Sequence, residues 1–112
     1  MSAAVFQAPE EAAAGLALHE SGRAVLIRGH WVPLGPRQGG ILRMLMRTPG
    51  KVVPIAQLAS VVWGRPVPRT LINVHIHHLR RKIEIDADHP KILLTLPGAG
   101  FVVDLTGAER AG

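Results

Sequence analysis

The chain has 112 residues, 47% hydrophobic and 19% charged, enough apolar material for one compact domain with short tails. It contains no cysteine, which excludes disulfide frameworks, cysteine zinc sites and thiol catalysis. The net charge of +5 is unevenly spread: none of the eight acids lies between Ser21 and Ile83, a stretch that holds eleven of the thirteen Lys and Arg residues.

Residues 1–14 are rich in alanine and read as a flexible tail or linker stub. Leu16–Leu18, Ala24–Arg28 and Trp31–Leu34 read as three short strands, with Gly29-His30 as a hairpin turn. Pro36 then suits the first turn of a helix whose apolar stripe is Ile41, Leu42, Leu45 and Met46. Gly39-Gly40 within it costs about 1 kcal/mol per glycine relative to alanine, and Pro49-Gly50 ends it. After a link at Val52-Val53, Pro54 opens a second helix with Ile55, Leu58 and Val62 inward and Gly64 as its stop. Arg65-Pro66-Val67-Pro68 is a stiff turn. A third helix is expected from Arg69 or Thr70 to Ile85, then a polar turn from Asp86 to Pro90. Ile92–Leu96 and Phe101–Leu105, joined by Pro97-Gly98-Ala99-Gly100, read as a terminal β-hairpin. Thr106 to Gly112 read as a C-terminal fray. The expected class is α+β: an N-terminal antiparallel sheet, three helices and a hairpin in one domain over residues 15–106, with tails at 1–14 and 107–112.

The third helix carries the functional signal. With about 100° per residue, Ile72, Ile76, Leu79 and Ile83 fall within about 60° and form a buried stripe. The opposite face collects Thr70, Val74, His77, His78 and Arg81, with Asn73 and Arg80 on one flank and His75 and Lys82 on the other. A helix with one dry side and a cationic, hydrogen-bonding outer side suits the major groove of DNA, and Val74 suits a thymine methyl. The acid-free basic block points the same way, to a polyanionic partner. His75 and His78 have metal-ligand spacing, but no carboxylate is near and Arg80, Arg81 and Lys82 repel a divalent ion. No metal and no cofactor are expected. No catalysis is expected either: the chain lacks Cys and Tyr, a glycine-rich phosphate loop and paired carboxylates.

The run Asn73-Val-His-Ile-His-His-Leu-Arg-Arg-Lys-Ile83 resembles the recognition helix of OmpR/PhoB-type winged-helix response regulators. Three further pieces resemble that family in order: Gly29-His-Trp-Val-Pro-Leu34; Pro49-Gly-Lys-Val-Val53 with Leu58 and Val62-Trp-Gly64; and His89-Pro90 with Ile92, Thr95 and Gly98-Ala-Gly-Phe101. The resemblance covers about residues 16–105. It implies a winged helix-turn-helix effector domain for transcription regulation in a phosphorelay. The third helix would enter the major groove of double-stranded DNA, and the hairpin would be a wing reaching the minor groove. It maps DNA contacts onto Asn73, Val74, His75, His77, His78 and Arg81, with Arg80 nearby; Thr70 on the outer face and Gly98 at the hairpin tip complete the expected DNA-binding set. The family usually has arginine at the wing tip, where this chain has Pro97, and an acid where Asn73 stands. No phosphoacceptor receiver domain is present in the sequence, so an upstream regulatory domain, RNA polymerase and a second copy on DNA are the further partners implied. The alternative expectation is a protein-interaction winged helix that binds RNA polymerase or a regulatory domain, with only non-specific DNA affinity. No apolar run reaches the ~18 residues of a membrane span, and no charged leader precedes Arg23. A cytoplasmic location without membrane attachment is therefore expected.

Overall fold

A computed structural model of the chain describes residues 15–107. The expected tail at 1–14 lies outside them, as do residues 108–112 of the tail expected at 107–112. Strands β1 (Leu16–Leu18), β2 (Ala24–Ile27) and β3 (His30–Pro33) form an antiparallel sheet in chain order. Ile27 faces His30, so the two-residue turn is Arg28-Gly29, one position earlier than expected. Both turn residues have positive φ, 49° and 79°, as hairpin turns require. Arginine tolerates this poorly. The Arg28 guanidinium offsets the cost by donating to the Ile83 carbonyl at 3.0 Å.

Helix α1 (Pro36–Arg47) starts with Pro36 at its first position, and Gln38 Oε1 accepts the Gly35 N–H at 3.1 Å. Helix α2 spans Ile55–Trp63. The Val52-Val53 link is more than a link: Val53–Pro54 form a short strand, β4. Pro54 precedes α2 rather than opening it. β4 is an edge of the sheet β4-β6-β5, where a missing N–H is tolerated.

Helix α3 runs Arg69–Ile83, two residues short of expectation. Glu84 leaves the helix with extended φ and ψ of −85° and 148°. The reason is a buried carboxylate: Glu84 accepts the N–H groups of Lys91, Ile92 and Leu93 at 2.8–3.2 Å. The hairpin is correspondingly tighter than expected, with β5 at Leu93–Leu96 and β6 at Gly100–Val103. Leu105 leaves the strand for a helical turn at 105–107. Asp104 Oδ1 accepts the N–H groups of Thr106 and Gly107, so Thr106 is held rather than frayed.

α1 touches α2, α3, β1 and β6 and so joins the two sheets. One apolar cluster contains Leu16, Ile41, Leu42, Leu45, Leu58, Ile72, Ile76, Leu79, Ile83, Phe101 and Val103. The α+β winged-helix order expected from the sequence is the order observed. Among the described residues no helix is long and apolar enough to cross a membrane.

Candidate nucleic-acid interface

α3 divides into four sectors. Its stripe Ile72, Ile76, Leu79 and Ile83 is buried. One flank is tied to the hairpin: Arg80 Nε donates to the Leu93 carbonyl at 2.9 Å and Nη2 to Thr95 Oγ1 at 2.8 Å. On the same flank Arg69 and Asn73 line a crevice of about 80 Å³ with Leu96, Pro97 and Gly98 of the hairpin. The other flank is tied to the N-terminal half of the chain. Lys82 Nζ donates to the Pro33 carbonyl at 2.9 Å and to Gln38 Oε1 at 2.7 Å.

His75 belongs to that second flank. Its ring lies 5.4 Å from the Trp63 ring of α2, and the Arg37 guanidinium of α1 lies 5.2 Å over the same indole. Arg37 Nη1 also donates to the Val62 carbonyl at 2.6 Å. His75 Nδ1 is buried without a hydrogen-bond partner. Desolvation, then the nearby His78 and Arg37, hold its pKa below the ordinary value of 6.5, so the ring is neutral at neutral pH.

The sector between the flanks is open. Thr70, Val74, His77, His78 and Arg81 are all exposed, Val74 by 48%. His77 and His78 stand with ring centroids 6.3 Å apart. The residues singled out in the sequence therefore divide. Thr70, Val74, His77, His78 and Arg81 share this face, Asn73 stands exposed at its hairpin edge, and Gly98 is exposed at the hairpin tip. Arg80 and His75 stand apart from it, on the two flanks, where each contacts a neighbouring element of the fold.

The basic block divides in the same way. Five of its eleven cations donate within the chain: Arg28, Arg37, Arg43, Arg80 and Lys82. All five bond a backbone carbonyl of a remote segment, Arg43 that of Glu20 at 2.9 Å, and Arg80 and Lys82 bond a side chain as well. Carbonyl oxygens thus do part of what the missing carboxylates would do. Arg23, Arg47, Lys51, Arg65, Arg69 and Arg81 are exposed. Sequence reading did not reach Glu84, Arg37 or the Trp63–His75 contact, because their partners are distant in the chain. Among the described residues no group of three or more His, Cys, Asp or Glu side chains could hold a metal ion.

Comparison with known proteins agrees with this architecture. The family model described as "Transcriptional regulatory protein, C terminal" matches residues 29–103. The transcriptional regulatory protein KdpE of Mycobacterium tuberculosis is 42% identical over 84 residues, covering 72% of this chain and 37% of that protein. The chain therefore spans little more than a third of that relative's length. The response regulator DrrB of Thermotoga maritima, an OmpR/PhoB homologue, superposes with a TM-score of 0.72 at 28% identity, covering 80% of this chain and 42% of that one. The DNA-binding domain of CpxR from E. coli superposes with a TM-score of 0.68, also at 28% identity, covering 80% of this chain and 90% of that one. With a matching family model over most of its length and the winged-helix order in its fold, the chain belongs to the C-terminal domain family of transcriptional regulatory proteins.

Proposed function

We propose that this domain binds double-stranded DNA sequence-specifically in transcription regulation, with α3 in the major groove and the β5–β6 hairpin as a wing at the adjacent minor groove. The observation that carries this reading is the open sector of α3. Both flanks of the helix are tied down, while a row of hydrogen-bonding and cationic side chains and one apolar one is left exposed between them. Such a row matches the donor, acceptor and methyl pattern of base edges. Val74, His77, His78 and Arg81 read bases; Arg65, Arg69 and Lys51 hold phosphates and set register. The CpxR domain, which superposes on this chain, is itself a DNA-binding domain. A single module of this size buries only about 600–1,000 Å² on DNA, so tight binding takes two copies on repeated half-sites. A regulatory domain outside the matched segment is the further partner we propose, since KdpE extends well beyond it.

A second reading has its own observation. A groove of about 400 Å³ beside α2, lined by Ile55, Ala56, Ala59, Pro66 and Val67 with Ser60 and Arg65 beside them, offers a mixed apolar and polar surface to a protein partner such as RNA polymerase. The two readings separate in one experiment. A duplex is selected from a random library and challenged with excess shuffled sequence. Retention of the selected duplex supports base reading by α3. Complete displacement leaves only electrostatic DNA affinity and favours the protein-interaction module.

A further inference from the structure

The hairpin from Ile92 to Val103 carries no charged residue, although it stands beside Arg69 and Asn73 of α3. Its tip is apolar and outward: Leu96 is 37% exposed, and Pro97, Gly98 and Ala99 are exposed as well. The tip is also preformed. The Ala99 N–H donates to the Leu96 carbonyl at 2.9 Å across Pro97 and Gly98, and Gly98 has φ 77°. These are the marks of a Pro-Gly type II turn, in which proline fixes one φ and glycine supplies the positive one. The base of the hairpin is pinned by Arg80 to Leu93 and Thr95. On its other side Gly100 lies so close to the Val53 carbonyl that a Cβ would overlap it.

Resting on the DNA-binding reading, we propose that this wing engages the minor groove as an uncharged apolar finger, with Leu96 and Pro97 packed against the deoxyribose walls. The walls of the groove present sugar C–H surface, and minor-groove proteins do place Leu and Pro side chains in that groove, as apolar wedges at base steps. A rigid turn loses little conformational freedom on docking. Apolar contact releases no counterions, so the wing adds affinity without adding to the salt dependence. Charge-dependent affinity then resides on Arg65, Arg69, Arg81 and Lys51 and not on the hairpin tip itself.

The test compares wild type, Leu96→Ala and Pro97→Arg on the selected duplex across a salt series. Leu96→Ala is expected to lose about fivefold in affinity, as for partial loss of one buried apolar side chain, with the slope of log K against log[salt] unchanged. Pro97→Arg is expected to steepen that slope by about one. On a duplex truncated on the wing side, wild type and Leu96→Ala should bind alike. If Leu96→Ala also lowers the melting temperature, Pro97→Ser, which removes no buried side chain, carries the same comparison. Unchanged affinity of the tip variants on the full duplex, or a loss that fades at high salt, overturns the apolar wing. Wild type failing to prefer the selected duplex over shuffled DNA overturns the DNA-reading proposal instead, so the two failures are distinguishable.

Discussion

Glu84, only 6% exposed, is a carboxylate in a place where burial is costly unless donors meet it. Three consecutive backbone N–H groups do so, joining the end of α3 to the start of β5. Glu84→Ala would leave those donors without their acceptor, and one orphaned buried group costs about 1–3 kcal/mol. The domain should therefore melt at least several degrees lower, at about 4–8 °C per kcal/mol for a domain of this size. An unchanged melting curve would show that water replaces the carboxylate at no cost. His75 makes a prediction about pH. Its pKa is depressed by desolvation first, then by His78 and Arg37. The unfolded chain therefore takes up its proton at the ordinary value of 6.5 while the folded chain resists it. Stability from this group is complete above 6.5 and falls as pH drops below it, until the folded pKa is reached. Between pH 7.5 and 5.5 wild type should lose more melting temperature than His75→Gln. Parallel curves would mean that burial, His78 and Arg37 impose no penalty on the charged ring.

At the scale of elements, α1 shows how a local rule yields to a contact. Helix propensity disfavours Gly39 by about 1 kcal/mol relative to alanine. Yet a Cβ there would overlap the Gly22 carbonyl in the turn between β1 and β2. Backbone cannot swing aside as a flexible side chain can, and overpacking of this kind costs about 1–3 kcal/mol. The contact outweighs the propensity, so Gly39→Ala should destabilise, read as a lower midpoint in urea. A higher midpoint would show that the turn moves away freely. The same contrast explains what was legible in α3. Burial repeats with the helical period, so Ile72, Ile76, Leu79 and Ile83 were readable from spacing alone. The partners of the flanks were not, because spacing puts Arg80 on a flank and Arg81 on the outer face but names no neighbour for either. Only the fold brings Leu93 and Thr95 to Arg80 and leaves Arg81 exposed. Likewise the early end of α3 at Ile83 depends on where Lys91, Ile92 and Leu93 lie, which no local pattern around Glu84 records. Strand ends moved by one or two residues for similar reasons: Asp104 diverts the chain into a turn before Leu105.

For the whole molecule, the acid-free block from Ser21 to Ile83 has two uses. Five of its cations staple segments together by bonding carbonyl and side-chain oxygens, and the exposed remainder gives the surface its positive field. If about four phosphates are neutralised, log K should fall with log[salt] at a slope near −3 to −4. A slope near zero would remove the electrostatic part of the account. Salt dependence alone does not separate holding from reading, since phosphates are alike in every sequence. Arg81 does, because it stands in the open sector of α3 with both flanks occupied by the fold. The decisive measurement is a pair of binding curves for Arg81→Ala, one on the selected duplex and one on shuffled sequence. A good base contact discriminates by about 1–3 kcal/mol, so affinity for the selected duplex should fall by roughly fivefold or more beyond any loss on shuffled DNA. Equal losses on the two duplexes would contradict base reading by Arg81 on this face.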